Sequence, residues 1–237
     1  MLLWGYELRN AFFGIDQIAE PPRIVSFAAK TNDEKTKYFS EYHHDRERML
    51  LELSRTLDDA DALVAWNLPF DDTWIRGEIR EAGFEEPTPY VKYDLMREFH
   101  KGVRYPSKKL DYAARRFIED SKSPVSALKI WLEIKAAEKA GDEVGLRRLW
   151  NKFRKYNIQD VDLMPVIYET YKDWLKPIIN QNVYAEDGVL VCRSCGSDRL
   201  HKRGLYIAPS GTTYQVWRCE CRAQTRSIHR IKGVEGR

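Results

Sequence analysis

The sequence predicts an α/β protein with a mixed sheet flanked by helices, followed by a small cysteine-bearing module. Three observations predict it. Short runs rich in aliphatic and aromatic residues precede the first long helical stripe. A compact apolar run, "ALVA" at 62–65, sits between two helical patterns, as a crossover-connected strand does. All four cysteines, Cys192, Cys195, Cys219 and Cys221, fall after residue 191.

The elements follow in order. Residues 2–8 and 11–15 read as adjacent strands, 23–30 as a third, and 36–42 as a shorter fourth. Residues 45–60 read as a helix because Met49, Leu50, Leu53 and Leu57 share one face at helical spacing. The run Ala62, Leu63, Val64, Ala65 then reads as a strand buried on both faces. Residues 70–83 form a second helix stopped by Gly83, 90–99 a short strand leading into helix, and 108–118 a short amphipathic helix. Residues 127–140 read as helix ended by Gly141, and the next begins near Glu143 with a stripe of Leu146, Leu149, Trp150 and Phe153. The helical pattern resumes through 156–175, where Pro165 marks a boundary or a kink. Residues 177–188 have linker composition, so the chain divides into 1–180, a linker at 181–188, and a terminal module at 189–237.

At 237 residues, with 43% hydrophobic and 12% aromatic residues, the chain can bury a sizeable core and is not a disordered polymer. Its net charge of +3 is unevenly spread: from residue 190 onward there are ten Lys/Arg against three Asp/Glu, and the rest of the chain is mildly acidic. A basic module beside an acidic one points to nucleic acid, with a solvated tail as the plainer reading. No membrane-length apolar run and no signal-like leader are evident, so a cytoplasmic location and no membrane partner are expected.

Five residues carry the candidate chemistry in the larger part. Glu7 ends the first strand, Asp71 follows the apolar strand, Asp94 lies in "VKYDLM", and Tyr156 and Asp160, four apart, share a helical face. Phosphodiester cleavage with two divalent ions needs several carboxylates converging on the metals, and a tyrosine one turn from Asp160 can orient or deprotonate the attacking water. Each has a plainer role: Asp71 or Asp72 capping a helix, Asp94 starting one, Asp160 on the surface, Tyr156 in the core. Their order along the chain is what argues for a site.

That order resembles the DnaQ-like 3′–5′ exonucleases of the subclass with tyrosine in the third motif, which have a ribonuclease-H-like fold. "YNIQD" (156–160) matches the family's Tyr-x-x-x-Asp, and "NLPFD" (67–71) is similar to Asn-x-x-x-Phe-Asp with one residue fewer. "YDLMREFHKGVRYPSKKLDYAARRFI" (93–118) resembles the stretch between these motifs, and the likeness is closest to phage-encoded members that end in a zinc ribbon. The resemblance covers roughly 1–175 and implies Glu7, Asp71 and Asp160 as ligands of two Mg²⁺ or Mn²⁺ ions, Tyr156 as the water-positioning group, and hydrolysis of DNA from a 3′ end. It also implies single-stranded DNA or a DNA 3′ end as partner, with replication proteins as further candidates. The chain departs from the pattern in the opening strand, where the family's Asp-x-Glu is met by Gly5 and Glu7. Glycine has no ligating side chain, so weakened metal binding and weakened hydrolysis are expected. Asp16 is the nearest other acid downstream.

In the terminal module, "CRSC" and "CEC" place two cysteine pairs on either side of an alternating stretch, the pattern of a zinc ribbon with four thiolates around a structural Zn²⁺. Because Cys-x-Cys is less usual than Cys-x-x-Cys, His201 or His229 could replace one ligand. Lys202, Arg203, Arg218 and Arg222, with Trp217 among them, are the candidate nucleic-acid contacts; the aromatic residues could instead be the ribbon's own core. Three functions follow: a metal-dependent exonuclease; a catalytically inactive nucleic-acid- or protein-binding module on a degenerate exonuclease fold; or a structural role with zinc only as a staple, against which the basic tail argues.

Overall fold

The structure is a computed structural model that describes residues 23–116 and 126–232. The expected strands at 2–8 and 11–15, with Gly5, Glu7 and Asp16, lie outside the described residues. What is described is a mixed α/β body joined to a three-stranded antiparallel ribbon.

β1 (Ser26–Ala29) pairs antiparallel with β2 (Lys37–Ser40), and Phe27 stacks on its partner Phe39 at 5.3 Å. Asp45 then caps α1 (Arg46–Asp58), its carboxylate accepting from the Arg48 backbone N–H. The expected stripe Met49, Leu50, Leu53 and Leu57 is buried against Phe27, Phe39, Leu63 and Ile79. Glu78, itself buried, accepts from the Ile24 backbone N–H and pairs with Arg46, tying the chain that enters β1 to α1 and to the helix that carries Glu78.

β3 (Ala62–Ala65) pairs in parallel with β4 (Val91–Asp94). The sequence suggested a strand buried on both faces; each of its four residues is only half-buried. Among the described residues β3 is hydrogen-bonded on one side alone, by β4, and the two strand pairs do not join into a single sheet. α2 (Leu68–Glu81) starts two residues earlier than its pattern suggested, because Asn67 in the left-handed region and Pro69 set the first turn. Its end is the expected one: Gly83 at φ 77° lets its own N–H reach the Arg80 carbonyl and the Phe84 N–H reach that of Ile79.

α3 (Leu95–Gly102), α4 (Leu110–Ala114), α5 (Ala127–Ala140) and α6 (Glu143–Tyr171) follow. α5 and α6 pack through Ile130, Ile134, Leu149 and Trp150, with Leu146 and Phe153 joining as the stripe required. α6 runs unbroken through Pro165, where a boundary or kink was expected. Proline removes one main-chain hydrogen bond, but Leu163 and Ile167 on either side are buried. Ile167, with Met164 and Tyr168 beside it, packs into a core shared with Val64, Trp66, Tyr93 and Phe99, which seats α6 against the parallel strands.

The segment after α6 is not free chain. Residues Gln181–Tyr184 form a 3₁₀ turn, the Gln181 N–H donates to the Arg193 carbonyl, and the Asn182 side chain bonds both ways with the Val191 backbone. The ribbon is β5 (Leu200–Ile207), β6 (Thr213–Cys219) and β7 (Gln224–Lys232), paired in that order. Among the described residues no helix is long and apolar enough to cross a membrane.

Candidate metal centres

The parallel pair β3–β4 delivers two acids to one place. Asp94 ends β4 directly opposite Ala65, and the chain leaving Ala65 turns through Asn67 into α2, whose first turn holds Asp71. The carboxyl ends of parallel strands are where α/β proteins form crevices for ligands. Burial pushes the Asp71 carboxyl up to about 6, and the neighbouring Asp94 charge pushes in the same direction. Asp71 is not the α2 cap, since Asn67 occupies that position. Asp72 is fully engaged elsewhere: it pairs with Lys92 at 2.6 Å and Arg76 at 3.4 Å and accepts from the Tyr90 hydroxyl. Asp94 does start a helix, accepting from the Arg97 backbone N–H, and keeps its place beside Asp71 while doing so.

The second pair comes from α6. The Tyr156 hydroxyl is hydrogen-bonded to Asp160, and burial together with the Asp160 charge raises the phenol well above its ordinary range. Asp111 of α4 adds to that shift. The sequence reading did not single out Asp111, although it lies in the "KKLDY" stretch; nothing in local spacing shows that α4 docks against α6. Met164, one turn beyond Asp160, packs in the core that holds Val64 and Trp66, so the Asp160 face of α6 is turned toward the parallel strands. The Trp66 indole N–H donates to the Lys108 carbonyl and pins the approach to α4 at the same strand end.

Two pairs are thus formed, the carboxylates Asp71 and Asp94 and the phenol–carboxylate pair Tyr156 and Asp160. Among the described residues they do not close on one point; the cysteine cluster is the one group of three or more potential ligands that does. Glu7 lies outside the described residues.

The four thiols lie within 4.8 Å of one another. Cys192 and Cys221 are 3.6 Å apart at sulfur, as are Cys195 and Cys219. Tetrahedral Zn²⁺ with Zn–S bonds of about 2.3 Å requires sulfurs about 3.8 Å apart, so the geometry suits that ion. Burial, and then the other three thiols, push the Cys221 thiol up to about 12 against the opposing Ala223 N–H. Four thiolates cannot share this space without a cation. Two tight turns make the cluster. In the first, the Gly196 N–H returns to the Cys192 carbonyl with Gly196 at φ 73°. In the second, one residue shorter, the Arg222 N–H returns to the Cys219 carbonyl with Arg222 itself at φ 71°. His201 and His229 are exposed on the strands and are not part of the cluster.

The candidate nucleic-acid residues of the ribbon are divided by the fold. Lys202 lies over the Trp217 ring at 5.5 Å, opposite it in register. Arg203 is the extra residue where the register shifts between Lys202 and Gly204. Arg222 belongs to the metal turn, and Arg218 lies opposite His201. A further cation–aromatic group, Arg226 over both Tyr206 and Tyr214, is made by β7 folding back on β6.

The chain matches no protein-family model, and no curated protein matches it.

Proposed function

We propose that this chain is a metal-dependent 3′–5′ exonuclease of ribonuclease-H-like fold that hydrolyses nucleic acid, in first instance DNA, through two divalent ions. The observation that carries the reading is Asp71: a largely buried carboxyl beside Asp94 at the ends of parallel strands is poorly placed as an anion unless a cation joins it. Mg²⁺ or Mn²⁺ would be held by Asp71, by Asp160 and by Glu7, and when bound would activate water and stabilise the leaving oxygen. Tyr156, its phenol kept protonated by burial and by Asp160, positions a water rather than deprotonating it. The zinc ribbon holds the strand. A thiolate-bound zinc fits a reducing compartment such as the cytoplasm.

A second reading, a non-catalytic nucleic-acid- or protein-binding module, is favoured by Gly5 standing where the resembled family has aspartate. One experiment separates the two. A 5′-labelled single strand of DNA is incubated with Mg²⁺ or Mn²⁺, with an RNA strand in parallel. The nuclease reading expects stepwise shortening from the 3′ end that Asp71→Asn and Asp160→Ala abolish. Cleavage untouched by Asp160→Ala sinks the site assignment. An inert chain that begins to cut as Gly5→Asp establishes the second reading.

A further inference from the structure

The ribbon strands carry Lys202, Arg203, Arg218, Arg226, Arg230 and Lys232, and no Asp or Glu. Register sorts them, because opposed residues of antiparallel strands share a face, as do residues two apart along a strand. Tyr206 opposes Tyr214, Tyr214 opposes Arg230, and Val216 opposes both Gly204 and Arg226. Tyr206, Tyr214, Arg226 and Arg230 therefore share one face, joined by Arg218 two residues beyond Val216. Lys202 and Trp217 are on the other.

The contacts agree with the register. The Arg226 guanidinium lies 4.9 Å from the Tyr206 ring and 4.6 Å from the Tyr214 ring, and the two rings are 6.3 Å apart. Tyr206 is 42% exposed, so much of its ring faces solvent. Among the described residues, Arg218, Arg226 and Arg230 meet no carboxylate; the ribbon's ion pair, Arg199 with Glu220, lies at the metal end. A Cβ on Gly204 would meet nothing within 4 Å, which leaves a bare floor on this face beside the tyrosines.

We propose that this face binds single-stranded nucleic acid, with a base stacking on the exposed Tyr206, which half-buried Tyr214 backs, and phosphates following Arg226, Arg218 and Arg230. Guanidiniums without acid partners complement a polyanion, and exposed ring faces stack only on bases free of pairing. An acidic peptide would use the cations and leave the rings idle. The inference deepens the exonuclease reading by giving its substrate strand a track, and it rests on that reading only for where the strand leads.

Anisotropy of a labelled oligo-dT on the zinc-loaded full chain, without Mg²⁺ or Mn²⁺, measures binding apart from cleavage. Arg226→Gln is expected to weaken binding about 10-fold and to flatten the slope of log affinity against log salt by about one. Tyr206→Ala is expected to weaken it about 10-fold at unchanged slope, and Tyr206→Trp, which keeps a stacking face, to restore it. Lys139→Gln, on exposed α5 surface, serves as the charge-matched control and stays at wild-type affinity. The proposal is overturned if the wild type does not bind oligo-dT at low salt, or if Tyr206→Ala and Tyr206→Trp behave alike. It is equally overturned if polyglutamate competes as well as oligo-dT, or if Lys202→Gln weakens binding more than Arg226→Gln. A chromogenic mononucleotide ester, which has no strand to lay along the ribbon, reports the catalytic site by itself. Oligonucleotide binding without ester hydrolysis refutes the nuclease reading and supports this face; ester hydrolysis without binding does the reverse.

Discussion

Replacing Asp71 by asparagine should stabilise the metal-free protein at neutral pH, an unusual result for a largely buried polar residue. The Asp71 carboxyl is raised from 3.8 to about 6, first by burial and then by Asp94. A raised folded-state value means that the group's contribution to stability is fully present below the unfolded value and is lost as pH rises through the folded one. At about 1.36 kcal/mol per unit, the ionised carboxylate costs the fold about 3 kcal/mol once pH exceeds that folded value. An asparagine side chain has nearly the same shape and no charge. Urea unfolding followed by tryptophan fluorescence at pH 7.5, without divalent ions, should therefore show Asp71→Asn about 3 kcal/mol more stable than wild type. The difference should shrink to nothing as pH falls from 6 to below 3.8, the interval set by the same carboxyl. Added Mn²⁺ should stabilise the wild type by mass action and leave the variant unchanged. A variant no more stable than wild type at pH 7.5, or a stability difference flat across that interval, refutes the reasoning about a cation-seeking carboxyl.

Three further outcomes are expected. Cys219→Ser removes one of four thiols that lie within 4.8 Å of one another. Zinc affinity measured against a chromogenic chelator should fall at least ~100-fold, and amide protection in β5–β7 should be lost while the α1 core keeps its own; unchanged affinity would place the metal elsewhere. Arg222→Gly relieves a non-glycine residue at φ 71° and should slow hydrogen exchange in the second metal turn by an amount worth about 1 kcal/mol. Faster exchange there would mean that the Arg222 side chain contributes more than its backbone strain costs. Glu78→Ala leaves Arg46 without its buried partner and the Ile24 N–H without an acceptor, and should lower stability by about 3 kcal/mol in the same urea assay; a loss under about 1 kcal/mol would show the pair to be solvent-screened.

Periodicity carried the helices well, since burying one face imposes a 3.6-residue repeat whatever the partner. The α1 stripe of Met49, Leu50, Leu53 and Leu57 and the bounds of α5 were legible for that reason. At Pro165 the helical repeat was a better guide than the residue type: α6 continues past it, because a local penalty of one hydrogen bond does not register how much Leu163 and Ile167 bury. The apolar run of β3 marked a strand but not its depth: each of its four residues is half-buried, and among the described residues β4 is its one neighbour. The cysteine cluster was legible because two thiol pairs at short spacing, set on either side of an alternating stretch, are the ligand pattern of a tetrahedral metal site. The site acids were less so: Asp71 and Asp72 are adjacent and identical in type, and only the salt bridges of Asp72 to Lys92 and Arg76 separate a structural acid from a candidate ligand.

By itself, then, the sequence determined where the long helices lie and that four cysteines can form a metal centre. Tertiary structure alone decided that Asp94 raises Asp71, that Asp111 approaches Tyr156, and that Arg226 rather than Lys202 lies across the ribbon's tyrosine pair. The physical reason is range. Helical repeats and metal-turn spacings are set by neighbours within a few residues, whereas a pKa shift or a cation over a ring depends on through-space distances between segments far apart in sequence.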